Sequence, residues 1–348
     1  MSRQNTSIVL AERPEGDIVP GKTFAVKTGP APTEADLKDG QILVEVLYLS
    51  LDPTMRSYLK EGRSYLPPVQ IGEVMRGPSA CRVLASRSPK ARAGDLVHAY
   101  PGWTEVGIVG ERWFERVELP PSARVTDICG VLGVTGLTAY YGMTKIADLK
   151  QGDTVVVSGA AGATGSIVGQ IARIMGAGRL VGIAGTDDKC RWLREELGYD
   201  VALNYKDPDF KNQFYEATKG YIDVYWDNVG GEILDLALAQ AKEHARFVMC
   251  GGISQYNAKV PQGPKNYLKI VTMRIKMQGF IVLDYMKENA AAQKQLAQWL
   301  TEGKLKRQET IVKGGVRVAE ETLVGLYNGI NTGKLLVEVK NPDEASKL

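Results

Sequence analysis

The chain has 348 residues, 44% of them hydrophobic and 24% charged, with a formal net charge of +3. That length holds two domains with separate cores, and the composition is that of an ordinary globular protein. The small positive balance, with no run of Lys and Arg, speaks against a nucleic-acid binder. No membrane span is expected either, because the weakly polar stretch 155–184 is broken by Arg173, Arg179 and many glycines.

Arg3, Glu12 and Arg13 interrupt the N-terminus, so no secretory apolar region is expected there. Cys81, Cys129, Cys190 and Cys250 are far apart and form no C-x-x-C pair, which predicts reduced, buried thiols. The only histidines are His98 and His244. No cluster of Cys, His and carboxylates has zinc-ligand spacing, so the protein is expected to work without a metal.

In chain order, residues 8–27 read as short strands broken by Pro14, Pro20 and Gly21. Residues 41–51 form a long β-rich run, apolar enough to be buried on both faces. Further strands are expected at 81–86, 95–100 and 113–119, between Gly, Pro and charge clusters. The first third is therefore a β-rich domain, a compact barrel or sandwich. Between 127 and 148 the pattern turns helical, which places a domain boundary near 122–128.

The stretch 154–176 organises the rest. A β-branched run, Thr154–Val157, leads into a turn containing Gly159, Gly162 and Gly165. It continues as a segment with Ile167, Val168, Ile171, Ile174 and Met175 on one helical stripe. Strand, glycine turn and helix in that order are the opening of a βαβ unit whose helix N-terminus receives a pyrophosphate. Strands at 179–184, 201–203, 222–226, 245–250 and 276–280 then alternate with helical segments, including 188–197 and 287–301. This alternation predicts a doubly wound parallel sheet. A last strand, 335–339, has no helix to pair with and is expected to return to the first domain.

The second strand ends in Ala184-Gly185-Thr186, small residues that leave room for a 2′-phosphate which Lys189 would neutralise. Asp187 leaves open the other choice, an acid on a ribose hydroxyl as in an NAD binder. The residue chemistry favours NADP.

Five motifs in order, Leu49-Ser-Leu-Asp-Pro-Thr-Met-Arg56, the A-A-G-A-T-G turn, Asp227-Asn-Val-Gly-Gly-Glu232, Cys250-Gly-Gly-Ile-Ser-Gln-Tyr-Asn257 and Asn331-Thr-Gly-Lys334, span nearly the whole chain. Together they resemble the zinc-independent medium-chain dehydrogenase/reductases of the prostaglandin reductase, alkenal double-bond reductase and curcumin reductase branch. The resemblance implies an α/β protein with a GroES-like domain, residues 1–126 completed by 305–348, and a Rossmann domain, residues 127–304. It implies NADPH-dependent reduction of the C=C bond of α,β-unsaturated aldehydes and ketones, and a homodimer joined through Rossmann sheet edges.

Carried onto this chain, the resemblance implies that Gly162, Ala163, Thr164 and Gly165 face the pyrophosphate, and that Lys189 and Tyr205 hold the 2′-phosphate. Thr138, Asn228, Asn331 and the backbone around Phe280 and Val282 would line the cofactor, with Tyr256 beside the nicotinamide and the substrate carbonyl. A neutral phenol suits the chemistry, because hydride addition to the β-carbon of an enone puts negative charge on the carbonyl oxygen. Thr54 stands where many members of the family have tyrosine, and Thr135 where proline is common, so preferred substrates do not transfer. Tyr65, in the loop 63–68, is a candidate substrate contact together with Thr54. Asp52 and Arg56 are expected to be structural.

A quinone oxidoreductase with the same fold and cofactor, or an NADPH-binding protein without turnover, remain alternatives at this level. The expected location is the cytoplasm. In a eukaryotic host the terminal Ser346-Lys347-Leu348 would instead be a peroxisomal address.

Overall fold

A computed structural model describes residues 3–343, so Ser346-Lys347-Leu348 lies outside the described residues. The chain divides into two compact units. The first contains the chain up to Gly133, Glu309–Asn331 and the chain from Leu335; the second contains Val134–Gln308 and Thr332–Lys334. The break falls after Gly133 rather than after residue 126. Ile128 and Cys129 pack with Leu47, Tyr48, Ala80 and Leu336, and this burial keeps them in the first unit.

In the first unit, β1 (Gln4–Leu10) and β2 (Phe24–Pro30) form an antiparallel pair. The strands β3 (Gln41–Ser50), β4 (Ser79–Ser86), β5 (Leu96–Ala99), β6 (Val106–Gly110) and β7 (Phe114–Arg116) belong to one larger sheet. All of β3 from Ile42 to Ser50 is buried, matching its largely apolar run. The charge within it, Glu45, is met by the Arg3 guanidinium at 2.5 Å. Arg56 is buried and donates to the carbonyls of Pro14 and Gly16, at 2.8 and 2.7 Å for the shortest contacts. It ties down the N-terminal loop, a structural role.

The second unit opens with α1 (Val134–Tyr141), which continues into a π-helical turn, Gly142–Ile146. The helical pattern over 127–148 is thus carried by a 3₁₀ turn (Val125–Ile128), α1 and the π turn. Glycines sit at two of these junctions in close packing. A Cβ on Gly133 would lie 2.2 Å from the Ile128 carbonyl oxygen, and one on Gly142 would lie 2.2 Å from the Trp226 ring.

The unit's sheet contains β8 (Thr154–Val157), β9 (Arg179–Ala184), β10 (Val201–Asn204), β11 (Ile222–Asp227), β12 (Ala241–Met249) and β13 (Lys276–Gly279). All neighbours are parallel, in the order β10-β9-β8-β11-β12-β13. The order reverses between β8 and β11, and in such sheets the crevice at that switch point receives the ligand. The helices are α2 (Ala163–Ile174), α3 (Asp187–Glu195), α4 (Phe210–Ala217), α5 (Gly231–Ala239), α6 (Ile253–Tyr256), α7 (Lys269–Thr272) and α8 (Asn289–Thr301).

The chain then returns to the first unit with β14 (Glu309–Lys313), α9 (Ala319–Tyr327) and β15 (Lys334–Glu338). β15 pairs antiparallel with β3, Leu336 opposite Ser50, as expected for a strand without a helix of its own. Among the described residues no helix is long and apolar enough to cross a membrane.

Candidate active site

The switch point in the second unit is built from four strand ends. At the end of β8, Ser158 and Gly159 lead into Gly162, the N-cap of α2, with no acidic residue in the first helical turn. The N–H groups of Ala163, Thr164 and Gly165 have no acceptor inside the helix, so they form a cradle for an anion. Two positions require glycine. Gly159 has φ +58°, and a Cβ on Gly165 would lie 2.3 Å from the Gly159 carbonyl oxygen. The turn is braced by Gly333, whose N–H donates to the Ala161 carbonyl at 2.8 Å and which bridges to Gly162.

At the end of β9, Thr186 caps α3 by accepting from the Lys189 N–H. Asp187 accepts 2.9 Å from Asn204 Nδ2. Lys189 is half-buried, and burial together with the Lys206 charge holds its ammonium below the ordinary lysine value. The Lys206 ammonium lies 5.9 Å from the centre of the Tyr205 ring. That ring rests on Gly185, where a Cβ would come within 3.0 Å of it. Two mutually repelling cations beside an exposed phenol are what a phosphate dianion would relieve. These residues, with the amide cradle, fit a 2′-phosphorylated dinucleotide.

The ends of β11 and β12 complete the site. Asn228 uses its side chain inside the protein: Nδ2 donates to the Ser158 carbonyl at 2.7 Å, and Oδ1 accepts from Trp226 Nε1 at 3.0 Å. Half-buried Tyr256 ends the four-residue helix α6, and its hydroxyl accepts the Gly252 N–H at 3.2 Å. A Cβ on Gly251 would lie 2.9 Å from that phenol oxygen. Gly251 in turn lines a cavity of about 490 Å³, with Met249, Cys250, Gly279, Phe280, Ile281 and Asp284. Phe280 packs on Trp226 with ring centres 5.9 Å apart, and Val282 opens a 3₁₀ turn directly after that wall. Burial, and then the Asp227 charge, pushes the Cys250 thiol up to about 12.

The other expected site residues lie as follows. Thr138 donates from Oγ1 back to the Val134 carbonyl at 2.7 Å. Asn331 is buried in the first unit, directly before the Thr332–Lys334 brace. Thr54 and Tyr65, also in the first unit, are joined by a 2.6 Å hydroxyl–hydroxyl hydrogen bond.

Two family models match the chain: "N-terminal domain of oxidoreductase" over residues 6–117 and "Zinc-binding dehydrogenase" over residues 163–301. The chain is 38% identical over 347 residues to the NADPH-dependent curcumin reductase of Escherichia coli, covering 98% of this chain and 99% of that protein. It is 38% identical over 320 residues to prostaglandin reductase 1 of Bos taurus, covering 90% and 93%. The crystal structure of CurA from Vibrio vulnificus with NADPH superposes with a TM-score of 0.89 at 37% identity, covering 97% of this chain and all of that one.

The chain belongs to the zinc-independent medium-chain dehydrogenase/reductases. It is an NADP-dependent oxidoreductase of the curcumin and prostaglandin reductase type. Despite the wording of one family model, among the described residues of this reductase no group of three or more His, Cys, Asp or Glu is placed to hold a metal ion.

Several residues around the switch point have contacts that no local pattern announces. Lys206 follows Tyr205 directly, and its sign was the available clue. Gly333 lies inside the Asn331–Lys334 motif, yet only contact with the cofactor turn shows its purpose. Asp227 ends the buried strand β11 and Ser158 directly follows β8, and a carboxylate closing an apolar strand is the signal for this pair.

Proposed function

We propose that this reductase reduces the C=C bond of α,β-unsaturated aldehydes and ketones, with the Tyr256 hydroxyl stabilising the charge that develops on the carbonyl oxygen. The observation that carries this reading is the seat of the phenol oxygen against Gly251, in the wall of the cavity that Phe280 also lines. When bound, NADPH supplies the hydride for the β-carbon. The amides of Ala163, Thr164 and Gly165, with Gly162, hold the pyrophosphate. Lys189 and Tyr205, joined by Lys206, hold the 2′-phosphate. Thr138, Asn228, Asn331 and the backbone at Phe280 and Val282 line the remainder of the cofactor.

Tyr256 then acts on the substrate. The Gly252 N–H polarises the phenol by donating to its oxygen, which makes the O–H a better donor to an enolate. The α-carbon takes its proton from water or from Tyr256. Thr54 and Tyr65 contact the substrate. A second copy of the chain pairs along β13, an outer strand of the Rossmann sheet, to give a homodimer.

Product analysis with NADPH and a panel of enals, enones and simple quinones tests the reaction. Saturated carbonyl products with no quinone turnover are expected. Quinone reduction alone would make the protein a quinone oxidoreductase, and inactivity with tight NADPH binding would make it a non-catalytic binder. Tyr256→Phe is expected to lower kcat about a hundredfold while sparing NADPH affinity, the size seen when one oxyanion donor is lost. Light scattering during size-exclusion chromatography tests the dimer.

A further inference from the structure

Asp227, the last residue of β11, is fully buried and holds an unusual number of groups. Its Oδ1 accepts from Ser158 Oγ at 2.9 Å, Tyr225 Oη at 3.1 Å, the Val229 N–H at 3.0 Å and the Gly230 N–H at 2.9 Å. Its Oδ2 is buried with no hydrogen-bond partner among the described residues. Burial pushes the carboxyl pKa up, while the Gly230 and Val229 N–H groups, Ser158 and Tyr225 pull it down. A carboxyl group that stays desolvated with one oxygen unserved is costly, and such groups call for an explanation.

The explanation lies in what the converging donors hold still. The Asp227 carbonyl receives the Cys250 and Gly251 N–H groups at 2.9 and 3.0 Å. The turn that its carboxylate closes receives the α6 end of the next loop: Ile253 N–H donates to the Asn228 carbonyl, and Ser254 donates to the Val229 carbonyl from both N–H and Oγ. Three residues on from Ile253, Tyr256 folds back so that its hydroxyl meets the Gly252 N–H. Hydrogen bonds and short stretches of backbone thus link one carboxylate to the phenol.

We propose that Asp227 is a positioning residue for Tyr256, fixing the Asn228–Gly230 turn and through it the loop that aims the phenol. The proposal rests on the reading of Tyr256 as the donor to the substrate carbonyl. Asp227 itself does not touch the reacting atoms. It acts by narrowing the positions available to the Tyr256 oxygen, and small misplacements of a catalytic group are expensive.

A double-mutant cycle tests this, because only residues acting through one another give non-additive losses. Asp227→Asn keeps the shape and an oxygen acceptor but replaces charge-assisted bonds with weaker neutral ones. It is expected to lower kcat about tenfold, with the NADPH Kd from fluorescence titration changed less than about twofold. In the Tyr256→Phe background the same substitution is expected to change kcat by less than about twofold. Ser254→Ala, an exposed position on the same path, gives a second cycle should Asp227→Asn fail to fold; a loss of about threefold, absent without the phenol, is expected. Equal losses with and without the Tyr256 hydroxyl would overturn the proposal and leave Asp227 with a purely structural role, as would an unchanged kcat in the single variants. A fully active Tyr256→Phe enzyme would instead overturn the tyrosine reading, and that failure is visible in the single variant alone.

Discussion

Asn204 donates a 2.9 Å hydrogen bond from Nδ2 to Oδ1 of Asp187. Asp187 is the first residue of α3 after the second Rossmann strand, close to where an NAD-dependent enzyme places its ribose-binding acid. Here an amide from the end of the neighbouring strand engages that acid, while Lys189 and Lys206 leave positive charge beside it. The arrangement suits a phosphate better than a hydroxyl.

Lys189→Ala is therefore expected to weaken NADPH binding about tenfold to a hundredfold, or roughly 1.4–3 kcal/mol, and NADH binding less than about twofold. Lys206→Ala follows the same direction with a smaller loss. Fluorescence titration with both nucleotides measures the difference, and equal losses for the two would remove the 2′-phosphate contact.

The same lysine sets a pH dependence. Burial and the Lys206 charge depress the Lys189 pKa in the free protein, whereas a bound phosphate dianion favours the ammonium and raises it. The complex therefore keeps a proton that the free protein loses as pH rises, and by linkage NADPH affinity falls through the free protein's Lys189 pKa, below the ordinary lysine value of about 10.4. NADH affinity is expected to stay flat over that window. Dissociation constants measured from about pH 7 to about pH 10 check the contrast.

Gly165→Ala tests the cradle. The added Cβ would lie 2.3 Å from the Gly159 carbonyl oxygen and 2.9 Å from Ala160 Cα, both backbone atoms that cannot swing aside. Overpacking of this kind costs roughly 1–3 kcal/mol. The expected outcome is a lower melting temperature in calorimetry and a loss of NADPH binding larger than the loss of stability. Wild-type affinity in this variant would show that the turn does not hold the pyrophosphate.

In the first unit, Thr54→Val removes the 2.6 Å bond that holds the Tyr65 hydroxyl. Tyr65 is expected to lose its fixed orientation, raising KM for enone substrates about threefold to tenfold, as loss of one neutral hydrogen bond would. The NADPH Kd should not move, and Thr54→Ser should restore KM. Steady-state kinetics with both variants decide the point.

Much of this organisation was legible in the residues. The passage from Thr154–Val157 to Ala163–Ile174 was readable because a β-branched run, a glycine turn and an apolar stripe are all local patterns. The buried run of β3 declared itself in the same way. The helix α9 and the strand β14 were not anticipated, and the π turn at Gly142–Ile146 interrupted what looked like one helix. In each, packing against residues distant in sequence decides the outcome. Gly142 packs on the Trp226 ring of β11 so closely that a Cβ there would lie 2.2 Å from it.

The sequence by itself determined the alternation of strands and helices in the second unit, the glycine turn between the first Rossmann strand and its helix, and a residue chemistry that favours a phosphorylated cofactor, since each follows from residue periodicity or charge within a short window. Only the tertiary structure decided that Asn204 engages Asp187, that Gly333 braces the fingerprint turn, and that Asp227 gathers four donors around the loop carrying Tyr256. Hydrogen bonds between strand ends depend on the register of the folded sheet, and no local pattern of side chains encodes which distant partner will lie within 3 Å or so.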